Sequence, residues 1–277
     1  MMNASLLESL ADDSRYSMVP RGEYAIGVDP DGAERIIPLL RDDRMKPEWL
    51  TAATPRHAIA LSGCRISNFL VTRGHFALFV DATGYRTEAE RDGWGWVFEG
   101  GWQKRGGVSW RSPFLDAGDD ACRAHSPIVP VMQASWNDAE AFCRWLSEAI
   151  GRRFRMPTEG EWEAFAGMHG APSIVDCMAE RVSIAPVNSR EYVAMLIAAA
   201  DADRSATPIG HVWEWCTDWY DAYPGGPHHR DFGATYRVLR GGSLMSRPAQ
   251  RGREYRFRRC PTARSPYYGV RLAMDIA

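Results

Sequence analysis

The chain has 277 residues, of which 45% are hydrophobic and 25% are charged, so it can form one large domain or two small ones around a sizeable core. Its formal net charge of −2 gives no general reason to expect nucleic acid or an anionic membrane as a partner. No stretch approaches the roughly 18 apolar residues of a membrane span. The first residues also lack the basic and apolar regions of a secretory signal. We therefore expect a soluble, cytoplasmic protein.

The first half of the chain predicts short strands, one helix and a long loop. We assign residues 1–54 to an N-terminal segment that packs on the main domain, residues 55–277. The apolar-rich residues 58–71 predict one or two short strands. Thr72 is expected to open a helix that ends at Gly84.

Residues 85–113 combine Gly, Trp and charged side chains and are too polar for a regular core strand. They predict a long ordered loop with short strands, and ordered loops of this kind are usually functional. From Ile209 to the end, short apolar runs alternate with Gly and Arg, which again predicts short strands and long loops.

Two capping boxes, one soon after the other, indicate the two main helices. Asn137 and Glu140 form the first box, and its helix has one apolar face and ends at Gly151. Thr158 and Glu161 form the second. Helices and short strands together predict an α+β protein.

Six cysteines are spread along the chain, too far apart for a zinc knuckle or a CxxC redox pair. The sequence does not say which of them, if any, pair. In a cytoplasmic protein we expect most of these thiols to be reduced and buried. They are Cys64, Cys122, Cys143, Cys177, Cys216 and Cys260.

Several segments resemble one family, in the family's own order. Residues 130–167 read PVMQASWNDAEAFCRWLSEAIGRRFRMPTEGEWEAFAG, which resembles the central signature of the formylglycine-generating enzyme family. Three later segments resemble its tryptophan, glycine-serine and last-strand motifs, namely GHVWEWCTDWY, RVLRGGSLMS and YGVRLA. Residues 79–100 also match, and the resemblance covers about residues 58–273.

The resemblance implies a C-type-lectin-like formylglycine-generating-enzyme fold with two main helices, short sheets and long ordered loops. In such a fold the tryptophans of the tryptophan motif have a structural role. We expect Trp213, Trp215 and Trp219 mainly to pack the core and fix the loops, because large aromatic rings contribute much buried area.

One departure from the family decides the expected function. Its oxygen-dependent enzymes bind a cuprous ion through two cysteines that follow the glycine-serine motif, and thiolates suit this soft metal. The matching positions here hold Ser246 and Arg251, which cannot replace thiolates. The nearest cysteine, Cys260, stands alone. We therefore expect no formylglycine synthesis by the copper mechanism.

The family also binds structural calcium, through oxygen ligands. By resemblance, Glu214 matches one ligand and Asn188 matches a ligand of another calcium site. His211 replaces a usual asparagine and is a poor calcium ligand. Structural calcium therefore stays an open prediction, and so does a redox metal, copper or iron, held by distant residues.

Residues 243–264 are densely basic and correspond to the border of the substrate groove in relatives. Arginine suits anionic or electron-rich small molecules. The alternative is a set of structural salt bridges, and we expect that to hold for most of these arginines, with one or two facing the groove. The seven are Arg247, Arg251, Arg253, Arg256, Arg258, Arg259 and Arg264.

Two functions remain. The first is an oxidase or oxidative tailoring enzyme for a small heteroaromatic molecule, as in relatives from siderophore-chromophore or azapteridine-toxin pathways. The second is an inactive paralogue that binds a peptide or protein; we prefer the enzyme. Its expected catalytic residues are Glu214 as the base with Ser243 and Ser246 as donors, and its expected substrate-binding residues are Trp215, Arg251, Arg253 and Tyr255.

Overall fold

The computed structural model describes residues 2–40, 45–114, 126–179, 189–202 and 209–276. Within these ranges, short helices and strands are joined by long ordered loops. The helices are Met2–Ala11, Pro30–Ile36, Pro47–Thr51, Arg73–Thr83, Glu88–Asp92, Trp136–Ile150, Glu159–Met168, Ile174–Ala179, Ser189–Ala202 and Pro248–Arg251. None of them is both long enough and apolar enough to cross a membrane.

Twelve strands lie in the described ranges and confirm the mixed helix and sheet class. They are β1 (Tyr16–Val19), β2 (Gly22–Ile26), β3 (His57–Leu61), β4 (Cys64–Leu70), β5 (Trp94–Phe98), β6 (Trp102–Gly106), β7 (Phe154–Arg155), β8 (Trp213–Trp219), β9 (Arg237–Arg240), β10 (Phe257–Arg259), β11 (Tyr268–Gly269) and β12 (Arg271–Asp275). Strands β3 and β4 fall where residues 58–71 predicted them, and β8 to β12 confirm the strands expected after Ile209.

Two four-stranded sheets form the frame. The first has the order β1-β4-β12-β7 with antiparallel pairs throughout. The second has the order β10-β9-β8-β11, in which β11 runs parallel to β8. The pairs β2-β3 and β5-β6 are separate two-stranded antiparallel sheets. Because β1 lies within residues 1–54, the N-terminal segment supplies an edge strand of the first sheet.

Local capping signals fix several helix ends. The Thr72 side chain accepts a hydrogen bond from His75 N, and Gly84 ends that helix at a φ of 66°. Thr158 and Glu161 form the expected capping box of the helix Glu159–Met168. The predicted starts of these helices are confirmed, and so is Gly84 as an end, because glycine adopts a left-handed conformation without a Cβ clash.

The capping box of the longest helix was predicted at the wrong residues. The helix Trp136–Ile150 begins after Ser135, whose side chain accepts from Asp138 N while Asp138 Oδ2 accepts from Ser135 N at 2.9 Å. The expected pair, Asn137 and Glu140, lies inside the helix. The predicted end at Gly151 is confirmed, with a φ of 74°.

The polar segment 85–113 is more regular than a loop. A helix, Glu88–Asp92, opens with its own capping box at Thr87, and the hairpin of β5 and β6 follows. The short strands were expected, but the helix was not. The tryptophans of this hairpin line a cavity, which is described below.

The main hydrophobic core packs the helix Trp136–Ile150 against the helix Arg73–Thr83. Phe76 stacks on Phe142 at 5.8 Å and meets Trp110 edge to face at 5.2 Å. These rings are at most 1% exposed, and burying each contributes roughly 1.5–3 kcal/mol. Cys64, Cys143, Cys177 and Cys216 are buried, as expected, while Cys260 is exposed; Cys122 lies outside the described residues.

Candidate functional site

The two serines expected to be donors form a closed turn. Ser246 Oγ accepts from Ser243 N at 2.8 Å and lies 3.2 Å from Ser243 Oγ. Met245 N donates to Ser243 Oγ at 3.3 Å. Both serines are buried, at 2% and 4% exposure. Their hydroxyl groups therefore hold the turn together after β9.

Two arginines expected to bind substrate are half-buried. Arg251 ends a short helix, and a Cβ at Gly242 would lie only 3.1 Å from its Cα, so glycine allows this close packing. Arg253 Nη1 donates to the Ala171 carbonyl at 2.9 Å, and its Nη2 lies 3.3 Å from Glu254 Oε1. Both side chains thus lie against the frame of the protein.

Glu214, the expected base, is completely buried and bonded to two side chains. Its Oε2 accepts from Trp162 Nε1 and from Arg271 Nε, each at 2.7 Å. Its Oε1 accepts from Arg271 Nη2 at 2.7 Å. Both oxygens therefore already hold partners, so a substrate proton could reach Glu214 only if this ion pair opened.

Trp215 and Tyr255 are buried, at 0% and 1% exposure. Trp215 meets Tyr268 edge to face at 5.4 Å, and its indole nitrogen donates to the Ala134 carbonyl at 3.4 Å. Burial raises the pKa of Tyr255 to about 12. Trp215 therefore has the packing role expected for the tryptophan motif, since neither ring is open to a ligand.

The expected metal ligands do not form a cluster in the part of the chain that the structure describes. His211 is half-buried, and its carbonyl accepts from Tyr192 Oη at 2.8 Å. Asn188 lies outside the described residues. Across those residues, no group of three or more His, Cys, Asp or Glu side chains is placed to hold a metal ion.

Most arginines of residues 243–264 have structural partners. Arg256 is 1% exposed and makes two hydrogen bonds to Glu159, at 2.6 and 2.9 Å. Arg258 binds Asp231. Desolvation opposes ionisation of Glu159, but Arg256 and Arg240 outweigh it and hold the pKa of Glu159 below its usual value. Two others, Arg259 and Arg264, line a cavity.

This cavity has a volume of about 470 Å³ and an aromatic wall. The β5-β6 hairpin forms one side, and the chain after β10 forms the other. We call it the tryptophan cavity. Its lining residues are Asp92, Trp94, Trp96, Trp102, Arg259, Cys260, Thr262, Ala263, Arg264, Ser265 and Tyr268.

The alternation of side chains along β5 builds the aromatic wall. Trp94 and Trp96 are half-buried on one face, while Gly95 and Val97 are buried on the other. Gly95 is required there, because a Cβ would lie 2.5 Å from the Val108 side chain. The close approach lets the hairpin lie flat on the core and leaves its tryptophans facing the cavity.

Two protein cations lie on one of these tryptophans. The Arg264 guanidinium carbon lies 3.8 Å from the centre of the Trp94 ring, and Lys104 Nζ lies 4.0 Å from it. Arg264 also binds Asp92 Oδ2 at 2.7 Å and donates to the Trp94 carbonyl at 3.0 Å. Arg264 is 3% exposed, and its Nε has no hydrogen-bond partner among the described residues.

None of the eight predicted site residues that the structure describes lines the tryptophan cavity, and Asn188 lies outside the described residues. The sequence nevertheless contained two signals for it. Residues 85–113 were singled out as a functional loop, and one or two arginines of residues 243–264 were expected to face a groove. The period of two in Trp94 and Trp96 would have placed both rings on one face of a strand.

Comparison with known proteins gives the family. The sulfatase-modifying factor enzyme 1-like domain matches residues 8–189 and 206–276. The formylglycine-generating enzyme of Streptomyces coelicolor is 31% identical over 268 residues, covering 80% of this chain and 81% of that protein. The chain belongs to this family.

Other proteins similar to this chain are named for different activities or as inactive. The hercynine oxygenase of Mycobacterium tuberculosis is 29% identical over 260 residues, which cover 83% of this chain but only 57% of that protein. An inactive C-alpha-formylglycine-generating enzyme 2 from Mus musculus is 28% identical, with 85% of this chain and 76% of that protein covered. The structure of PvdO from Pseudomonas aeruginosa shares the fold, with a TM-score of 0.60, 20% identity and 94% of both chains covered.

The copper site of the formylglycine-generating enzymes does not fit the residues of this chain. Ser246 stands at one thiolate position, and its hydroxyl closes a turn. Arg251 stands at the other and carries a fixed positive charge, which repels a metal cation. This member of the family therefore lacks the ligands on which formylglycine formation depends.

The calcium ligand predicted at Glu214 also does not fit. Calcium needs carboxylate oxygens that are free to coordinate it. Both oxygens of Glu214 accept hydrogen bonds from Arg271, a cation 0% exposed in the same site. The second calcium site stays a prediction, because Asn188 lies outside the described residues.

Proposed function

We propose that this family member is an oxidative tailoring enzyme that binds a small heteroaromatic molecule in the tryptophan cavity. The name of one relative supports oxidative chemistry, since hercynine oxygenase denotes an oxidation. A dihydro-heteroaromatic of the siderophore-chromophore or azapteridine-toxin type is the proposed substrate class, and dioxygen is the proposed oxidant.

The aromatic cavity is the observation that carries this proposal. Pockets for small molecules usually measure about 300–1,000 Å³ and combine aromatic walls with a few polar groups. The tryptophan cavity has about 470 Å³, three tryptophans, one tyrosine and three charged side chains. A planar ring fits this lining, because aromatic pairs gain energy beyond the area they bury.

The proposed reaction is a two-electron oxidation. A dihydro-heteroaromatic loses two electrons and two protons, and dioxygen takes up both to become hydrogen peroxide. Asp92 is the carboxylate on the cavity wall that can accept a proton from the ring. Arg264 and Arg259 provide positive charge next to the anion that forms as the proton leaves.

Oxygen consumption tests the proposal. The purified chain is mixed with a dihydropteridine, and loss of dioxygen and formation of hydrogen peroxide are followed together. We expect a saturable rate that exceeds autoxidation in the presence of heat-unfolded protein. Asp92→Asn should lower this rate at least tenfold, because Asn cannot accept the proton. A rate equal to that of the unfolded control would contradict the enzymatic function.

The alternative is a binding module without redox chemistry. It is favoured by the loss of the copper ligands and by the exposed rings at the tip of the β5-β6 hairpin, where Trp102 is 50% and Phe98 is 39% exposed. It predicts binding of a peptide or protein with no consumption of dioxygen. Ligand binding at the hairpin tip without any oxidation would favour this second function.

Two finer structural features are also proposals. We propose a C-type-lectin-like description of the fold, supported by its short sheets and long ordered loops. We further propose that calcium is bound at a site other than Glu214. Calcium titration followed by thermal unfolding tests this second point, because an ion that binds only the native state raises the melting temperature.

A further inference from the structure

We infer that the ligand of the tryptophan cavity carries a carboxylate or a similar anionic group, held by Arg259 and Arg264. The inference rests on the proposed function, because it takes the same cavity as the substrate site. It narrows the substrate from heteroaromatic molecules in general to aromatic anions.

The charge of the cavity is the first observation. Among its lining residues, Arg259 and Arg264 are cations and Asp92 is an anion. The lining therefore carries one more positive than negative charge, and Lys104, above the Trp94 ring, adds another positive charge. A ligand carrying one negative charge therefore brings the site closer to neutrality, whereas a neutral ring leaves the positive excess in place.

The second observation is the unused hydrogen-bonding capacity of the two arginines. Arg264 is only 3% exposed, and its Nε donates to no acceptor in the part of the chain that is described. Arg259 is exposed, its Nη1 donates to the neighbouring Arg258 carbonyl at 3.0 Å, and its side chain also contacts the hydroxyl of Tyr268. No described carboxylate forms an ion pair with Arg259. Guanidinium groups of this kind bind carboxylates in a planar, two-bonded geometry.

A cationic ligand is the competing possibility, because tryptophan-lined sites also bind ammonium groups. In this cavity the ring of Trp94 already has two protein cations within about 4 Å of its centre. A third cation would be repelled by both. Trp96, Trp102 and Tyr268 remain as the surfaces on which a ligand ring can pack.

Matched probes test the inference. Quinaldate carries a carboxylate on a two-ring heteroaromatic, quinaldamide replaces it by a neutral amide, and N-methylquinolinium is a cation of similar size. Binding of each to the full chain is measured by calorimetry. We expect quinaldate to bind about tenfold or more tightly than quinaldamide, because a hydrogen bond to a charged group is worth more than one to a neutral group.

Arginine variants show whether the cavity causes the preference. Arg259→Gln should remove most of the preference for quinaldate, and we expect the fold to be kept because Arg259 is exposed. Arg105→Gln, on the β5-β6 hairpin, is the matched control, since the Arg105 side chain is also partly exposed but pairs with Glu99 and does not line the cavity. It should keep the preference for quinaldate. If Arg259→Gln proves unstable, Arg264→Lys keeps the charge but removes Nε, and should weaken quinaldate binding more than quinaldamide binding.

Cys260 reports on occupancy of the cavity. It lines the cavity and is exposed, so iodoacetamide should alkylate it and quinaldate should slow the reaction. Peptide mass spectrometry separates its label from that of other cysteines. Equal affinity for quinaldate and quinaldamide, or tighter binding of the cation, would overturn the anionic substrate class and leave the proposed oxidase intact. Absence of binding and of protection for every probe would overturn both.

Discussion

Glu214 and Arg271 form an ion pair with two hydrogen bonds of 2.7 Å, and both side chains are 0% exposed. The pair joins the two large sheets, because Glu214 lies on β8 and Arg271 on β12. Trp162 completes the set by donating to Glu214 Oε2. The carboxylate therefore has a structural role that its position in the tryptophan motif did not reveal.

Glu214→Gln should destabilise the chain by about 3–5 kcal/mol, because it leaves the Arg271 cation buried without a counter-charge. Urea unfolding followed by circular dichroism measures the change. Glu140→Gln removes the exposed ion pair with Arg144 and should cost no more than about 0.5 kcal/mol. A stable Glu214→Gln protein that has lost oxidase activity would instead support Glu214 as the base.

Ser246→Cys alone should not give formylglycine synthesis, because Arg251 still occupies the second ligand position. The variant is incubated with a cysteine-containing peptide and Cu(I), and the peptide is weighed by mass spectrometry. Ser246→Cys with Arg251→Cys is the companion variant, and we expect only this double variant to compete for Cu(I) with a chelator. Formylglycine from the single variant would show that our account of the lost copper site is wrong.

Asp218 should make stability depend on pH. Burial, with a further contribution from Glu159, raises its pKa to about 6 from the usual 3.8. Between these values the folded state holds the proton and the unfolded state does not, so stability falls as the pH rises from about 4 to about 6. The loss is complete above the folded pKa.

Asp218→Asn should remove this dependence of stability on pH, because the amide resembles the protonated acid. In the parent chain Asp218 Oδ2 accepts a hydrogen bond from Glu159 N at 2.7 Å, and the amide oxygen of Asn can accept the same bond. We expect the variant to gain about 1–3 kcal/mol relative to the parent chain between pH 4 and pH 7. Denaturant unfolding of both proteins at pH 4 and at pH 7 measures this difference in stability. A difference that stays constant across this range would contradict the raised pKa.

Trp96→Ala should weaken binding of an aromatic ligand about tenfold, because a stacked ring contributes roughly 1–3 kcal/mol. Quinaldate affinity by calorimetry provides the measurement. Met168→Ala is the control, since Met168 is 52% exposed and does not line the cavity. Equal losses in the two variants would point to a general loss of structure, and no loss in either would place the ligand elsewhere.

Local sequence determined much of the secondary structure. Thr158 with Glu161 started one helix, and Gly84 and Gly151 ended two others. These signals act over three or four residues and need no distant partner. The ordered motifs also indicate the family, and Ser246 with Arg251 in place of two cysteines is enough to exclude the copper site.

Contacts between distant residues decided the rest. The sequence predicted the capping box of the longest helix at Asn137 and Glu140, but the box forms at Ser135 and Asp138. Asp138 also accepts hydrogen bonds from the distant Tyr85 Oη and Glu88 N, which favours this start of the helix. A carboxylate such as Glu214 can be a base, a ligand or half of an ion pair. Which role it has depends on Arg271, 57 residues away along the chain. Likewise, Arg264 and Trp94 lie 170 residues apart and form one cavity only because the hairpin folds back beside β10. The ionisation free energy of a polar side chain depends on the groups that surround it in space, and the spacing of residues in the sequence does not show which groups these are.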